Sequence, residues 1–189
     1  MKKVKFVDLT LRDGQQSNAA TRMTTEQILR VLKPIVDSGF SGMEVWGGAT
    51  LDSAMRYLKE DPWERLEKIR EVASNLLDIR TLIRGQNLFA YSPYPDDLVI
   101  SFVKETVRTG SNLIRTFDAL NDWRNLQTSI MATKTYGGKI EGAMSYTTGP
   151  VLMRNTTLTL PLNFKMKDVI RLQLRIWLEF LNQRWHTNS

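Results

Sequence analysis

Short apolar runs alternate with amphipathic stretches through the first 146 residues of this chain, a pattern that restricts the fold to a parallel sheet covered by helices. Phe6 to Leu9 is the first run, built around Asp8. After a polar loop, Thr24-Thr25-Glu26-Gln27 has the form of a capping box and opens a helix to about Asp37, which Gly39 stops. Gly42 to Trp46 reads as a second strand. Asp61-Pro62 then sets an N-cap before a proline at the first helical position, with Trp63, Leu66, Ile69 and Ala73 on one face. Ile79 to Ile83 is a third strand, and Pro95-Asp96-Asp97 opens a helix with acids in its first turn that Gly110 ends. Leu113 to Phe117 and Ile140 to Tyr146 are two further strands, separated by a helix from about Asp122 to Thr135. The order β-α-β-α-β-α-β-α-β places helices outside a sheet whose strands all run the same way.

Charge and composition exclude several classes. The net charge of +6 is unevenly spread: residues 1 to 150 carry 20 Lys and Arg against 18 Asp and Glu, and residues 151 to 189 carry 6 against 2. The basicity therefore belongs to the tail, and with no basic stripe or recognised module a nucleic-acid partner is not expected. Cysteine is absent, which excludes disulfides and thiolate metal sites. Lys2, Lys3 and Lys5 resemble the start of a signal peptide, but Asp8, Arg12 and Asp13 interrupt the apolar segment that should follow. No window approaches the ~18 uncharged apolar residues of a membrane span. The expected location is cytoplasmic, with no direct membrane insertion.

Polar residues follow the strands directly: Arg12-Asp13 after the first, Asp52 after the second, Arg84 after the third and Asp118 after the fourth. In a (β/α)8 barrel such loops gather at one face and build the active site. Pattern alone leaves a barrel and a doubly wound sheet both open. Each residue also has a simpler reading. Arg12-Asp13 can be a loop ion pair, Asp52 a cap for a short helix toward Leu58, Arg84 a solvated strand end, Tyr91 a half-buried aromatic, and Gly47-Gly48 a tight turn.

Three longer motifs decide between these readings: VDLTLRDGQQS at Val7 to Ser17, MEVWGGATLD at Met43 to Asp52, and LIRGQNLFAY at Leu82 to Tyr91. With FDALND at Phe117 to Asp122 and SYTTGPV at Ser145 to Val151, they resemble the carboxyltransferase domain of the biotin-dependent enzymes, within the HMG-CoA lyase-like barrels. The likeness is greatest to the oxaloacetate decarboxylase alpha subunit and pyruvate carboxylase, and it covers about residues 1 to 150. It implies the N-terminal part, about five βα strands, of a TIM barrel that is incomplete here. It also implies a reaction that moves CO2 between carboxybiotin and pyruvate or oxaloacetate at a divalent metal such as Zn, Mn or Co, with biotin on a separate carrier. By the same resemblance Asp13 is a metal ligand, Arg12 holds the enolate formed from pyruvate, and Gln16 donates a hydrogen bond to substrate. Arg84 clamps a substrate carboxylate, for which a guanidinium fork is well matched. Tyr91 and its partner Asp52 shape and polarise the biotin end.

The family completes its metal site with a carbamylated lysine in an IKDMAG-like strand and an HxH pair. Neither stands in this sequence, whose one histidine, His186, is near the end and is not expected to be a ligand. No tightly bound metal is therefore expected, and the chain is expected to be inactive alone. Residues 151 to 189 form a tail unlike the family. Regrouping the bases of Gln173 to Leu181 from the third base of each codon permits Ile-Lys-Asp-Met-Ala-Gly-Ile-Leu, the missing lysine strand in another frame. A frameshift shortly after Val151 is the expectation, and codons unable to spell that motif would refute it. As protein, Ile170, Leu172, Leu174, Ile176, Leu178 and Phe180 alternate with mostly polar neighbours like a strand, although Trp177 and Leu181 also allow a helix. Unpaired sheet edges lead us to expect self-association or aggregation. A second functional expectation is a non-catalytic half-barrel that pairs with itself or with an intact subunit.

Overall fold

The computed structural model describes residues 4–146 and 171–176. Six strands form one sheet in the order β1-β2-β3-β4-β5-β6, every neighbouring pair parallel. They are β1 (Val7–Asp8), β2 (Gly42–Trp46), β3 (Asp78–Ile83), β4 (Leu113–Asp118), β5 (Lys139–Tyr146) and β6 (Arg171–Ile176). Long helices cross between them: α2 (Thr25–Asp37), α4 (Pro62–Ala73), α5 (Asp96–Arg108) and α6 (Gln127–Thr135). Two shorter helices, α1 (Gln15–Asn18) and α3 (Gly48–Ser53), sit in the loops that follow β1 and β2. The arrangement is an incomplete α/β barrel, as the motif resemblance implies, and not the doubly wound sheet that the strand pattern alone left open. The alternation in the tail resolves as a strand over Arg171–Ile176, lying on β5 with Gly142 opposite Leu172 and Met144 opposite Leu174.

The capping signals work as expected. Thr24 accepts from the Gln27 amide through its hydroxyl while the Gln27 side chain accepts from the Thr24 amide. Asp61 accepts from the Trp63 and Glu64 amides ahead of Pro62. The region expected as one helix from Asp122 starts as a 3-10 turn at Trp123–Leu126, because the Asp122 carboxylate accepts from the Arg124 amide and tightens that turn. Among the described residues no helix is long and apolar enough to cross a membrane.

The core lies between the sheet and the helices. Ile28 and Leu32 of α2 and Leu66 and Ile69 of α4 meet Met43 and Ile79 of the sheet, all essentially inaccessible. Val99 and Val103 of α5 and Ala132 of α6 meet Ile83, Ile114 and Ile140 in the same way. Each fully buried aliphatic side chain contributes about 1.5–3 kcal/mol of transfer free energy to holding the helices on the sheet.

A polar staple joins the starts of α2 and α4. Glu60 accepts from the Thr25 amide at 3.0 and 3.1 Å, from the Thr25 hydroxyl at 2.5 Å and from Arg65 at 2.5 Å. Burial pushes the Glu60 carboxyl up, but the Arg65 guanidinium and the Thr25 donors together outweigh it and hold the group below the ordinary carboxylate value. A folded-state value below the unfolded one means that Glu60 stabilises the fold above the ordinary carboxylate range, and that this contribution is lost as pH falls through the lowered value. The urea midpoint of Glu60→Gln should therefore lie below that of the wild type above about pH 6, with the gap closing toward about pH 3. A gap that does not change with pH would refute the assignment.

Candidate active-site cleft

Register sorts the sheet into two faces. Glu44 lies opposite Arg80, Leu82 opposite Arg115, Arg115 opposite Glu141 and Phe117 opposite Ala143. These residues share the face away from the helices, and it is highly charged. Arg12 donates from Nε to Glu44 Oε1 at 2.5 Å, and Arg115 Nη2 lies 2.9 and 2.8 Å from the two oxygens of the same carboxylate. Arg80 pairs with Glu141 at 3.2 Å. Glu44 and Arg115 belong to strands separated by β3, and Arg80 and Glu141 to strands separated by β4. Next-nearest strands lie about 9.5 Å apart, so long side chains bridge them on the concave side of a curved sheet. Glu44 is fully buried, and such a carboxylate is tolerated only because two guanidiniums neutralise it.

At the C-terminal ends of the strands this face opens into a cleft of about 380 Å³, lined among others by Arg12, Gln16, Gly47, Leu82, Arg84 and Phe117. The loop after β1 is wound tightly: the amides of Arg12, Asp13 and Gly14 all donate to the Leu9 carbonyl. That winding buries Arg12 and leaves the Asp13 side chain about half exposed. Arg12 Nη1 donates to Asp13 at 2.9 Å, while its Nη2 makes no hydrogen bond among the described residues. A Cβ on Gly47 would approach Arg12 Cδ to 3.2 Å, so a larger residue there would push the Arg12 stem aside by a few tenths of an ångström, although the extended backbone at Gly47 itself accepts any residue. Arg84 follows β3 directly, its amide donating to the Leu88 carbonyl at 3.0 Å, with its guanidinium carbon 5.6 Å from the Tyr91 ring centre. Tyr91 is 95% exposed. The loop after β4 is braced by Asp118, which accepts from the amides of Leu120 and Asp122 and from the side chain of Asn125.

Of the residues singled out in the sequence, Arg12, Gln16 and Arg84 meet in one cleft. Asp13 borders it as the partner of Arg12. Asp52 lies inside α3 and not at a helix start, and it pairs with Arg56 at 2.7 Å. Tyr91 lies near the Arg84 guanidinium but does not line the cleft. Glu44, Arg80, Arg115 and Glu141 were not anticipated, although a charged residue in the middle of an apolar strand is a rare enough placement to mark them.

A divalent metal does not fit the described residues alone. They contain no group of three His, Cys, Asp or Glu side chains able to hold one ion, and Asp13 already shares an oxygen with Arg12. A lone, half-exposed carboxylate leaves most of a coordination shell to water. His186 falls outside the described residues. A second groove, of about 480 Å³ at the starts of α2 and α4, offers less chemistry, because its Glu26, Glu60 and Glu64 are paired with Arg30, Arg65 and Lys68.

No family model matches the chain. It is similar to a pyruvate carboxylase subunit of Methanocaldococcus jannaschii, 49% identical over 148 residues that make up 78% of this chain and 26% of that protein. It is also similar to the 2-oxoglutarate carboxylase large subunit of Hydrogenobacter thermophilus, 47% identical over 150 residues, covering 79% of this chain and 23% of the relative. The solved carboxyl transferase domain of Rhizobium etli pyruvate carboxylase with 3-bromopyruvate superposes with a TM-score of 0.85 at 36% identity, covering 93% of this chain and 31% of that one. The chain thus spans about a quarter of the length of these curated relatives.

Proposed function

Because this chain belongs to the biotin-dependent carboxyltransferase family of the pyruvate carboxylase type, we propose that its cleft binds the carboxylate of a 2-oxo acid such as pyruvate or oxaloacetate. The observation that carries the reading is the convergence of two cations, Arg12 and Arg84, on one cleft at the C-terminal ends of parallel strands. Arg84 takes the carboxylate, since a guanidinium donates in the fork geometry that a carboxylate accepts. The free Nη2 of Arg12 and the amide of Gln16 reach the 2-oxo oxygen, where preorganised donors stabilise negative charge as it develops. Leu82 and Phe117 exclude water from one wall, which strengthens those contacts. Tyr91 and Asp52 face the biotin brought by a separate carrier, for which Asp52 has to exchange its Arg56 partner.

CO2 transfer itself needs metal ligands beyond those among the described residues. The purified chain is therefore expected to bind pyruvate in a calorimetric titration while exchanging no labelled CO2 with oxaloacetate above background. Arg84→Met should weaken pyruvate binding at least tenfold, the loss of one charge-assisted pair of about 1.5–3 kcal/mol. Unchanged binding in that variant would remove the proposed role, and CO2 exchange at an enzymatic rate would show that the chain completes the site.

A further inference from the structure

We infer that Glu44, in the middle of β2, is the positioning residue that aims Arg12 into the cleft, with Arg115 as the second cation that keeps the Glu44 carboxylate in place. The inference rests on the cleft being a carboxylate site, and it adds a residue that touches no ligand.

Three contacts hold Arg12. Its alkyl chain passes against Gly47, where a Cβ would come within 3.2 Å of Cδ. Its Nε donates to Glu44 Oε1 at 2.5 Å, and its Nη1 donates to Asp13 Oδ1 at 2.9 Å. The two hydrogens of Nη2 and the second hydrogen of Nη1 remain for a ligand. Without the Nε contact, the guanidinium can rotate about its long stem and is no longer presented in one orientation, which weakens the recognition of a planar anion.

Glu44 is itself held in place from two sides, Oε1 accepting from both Arg12 and Arg115 while Oε2 has only the ionic proximity of Arg115. Its side chain has no solvent exposure, and both of its oxygens lie within 2.9 Å of Arg115 Nη2. The β-bulge between Glu44 and Trp46 gives this arrangement its direction. Glu44 lies opposite Arg80 on the concave face, whereas Trp46 lies opposite Thr81 and turns toward the helices. A bulge re-aims the side chains on either side of it, and here it puts the carboxylate under Arg12 and a glycine, Gly47, beside it. The Arg80–Glu141 pair on the same sheet face provides an internal comparison: it is equally buried and oppositely charged, yet neither member lines the cleft.

The test titrates oxalate, a planar dicarboxylate, into the full chain by calorimetry and compares Glu44→Gln with Glu141→Gln. Both substitutions remove one buried carboxylate from the same face with little change in volume. Glu44→Gln is expected to weaken oxalate at least tenfold, and Glu141→Gln to leave it within twofold. Equal effects of the two would overturn the inference and leave the cleft reading intact, since Glu44 would then act only through the fold. No oxalate binding by the wild type would overturn both. Should Glu44→Gln fail to fold, the Arg12 Nε–H resonance of the wild type, assigned by its loss in Arg12→Lys, decides the matter. Slow exchange with solvent, with a shift on adding oxalate, is the expected result, and exchange as fast as that of a surface arginine overturns the inference.

Discussion

Trp46→Ala is expected to lower the free energy of unfolding by about 3–5 kcal/mol, the range for removing a large buried aromatic side chain. Trp46 is 3% exposed and sits at the centre of an aromatic group. Its ring packs edge-on against Trp63 of α4 at 5.0 Å between centroids and stacks on Phe102 of α5 at 5.7 Å, with only 6° between the planes. Trp63 and Phe102 in turn meet at 5.2 Å. Deleting the ring leaves a cavity between two helices and the sheet that rigid neighbours cannot close. Trp46→Phe is expected to behave differently. It keeps a ring to stack on Phe102 and removes a buried indole N–H that has no hydrogen-bond partner among the described residues, so its cost should stay below about 1.5 kcal/mol. Urea unfolding followed by circular dichroism measures both. An alanine variant within about 1 kcal/mol of wild type would mean that the aromatic group does not hold the helices to the sheet.

Gly85→Ala is expected to cost about 2–4 kcal/mol and to abolish carboxylate binding together with it. Gly85 has φ +48°, a left-handed conformation that costs a residue with a Cβ about 1 kcal/mol or more. The added Cβ would lie 2.4 Å from the Asn125 carbonyl oxygen and 2.9 Å from Leu126 Cδ2. The first of these is backbone and cannot swing aside, so the loops after β3 and β4 have to separate, a strain of about 1–3 kcal/mol. Arg84 precedes Gly85 directly, and the Gly85 carbonyl accepts from the Leu88 amide that closes the turn. Separation of the loops therefore moves Arg84 out of the cleft. Denaturation midpoints and an oxalate titration on the same sample test the two halves of the prediction. A destabilised variant that still binds oxalate as the wild type does would detach the turn from the site.

Much of the fold was legible because its signals are local. Thr24 with Gln27, Asp61 with Pro62, and the Gly39 and Gly110 stops depend on neighbours a few residues away, and helices form between them as expected. The site was half legible. Arg12, Gln16 and Arg84 fall in the segments that follow strands, where a parallel sheet must gather its loops, and the structure brings them into one cleft. Asp52 could not be placed this way, because an i,i+4 partner, Arg56, competes for its carboxylate inside α3. The expected frame change and the division near residue 150 bear largely on residues outside those described; within that tail the described segment is β6.

By itself the sequence determined the strand and helix order, the caps, the parallel direction of the sheet and the family, since each of these rests on periodicity, on turn chemistry or on contiguous motifs. Tertiary structure alone decided which charges meet. Strict alternation puts Glu44 and Trp46 on one face of β2, but the bulge between them sends Trp46 to the helices and Glu44 to the concave side. There the curvature of the sheet brings in Arg115 from 71 residues away and Arg12 from 32 away. A pairing across a skipped strand has no local trace in the chain, because it exists only when the sheet curves enough for long side chains to converge.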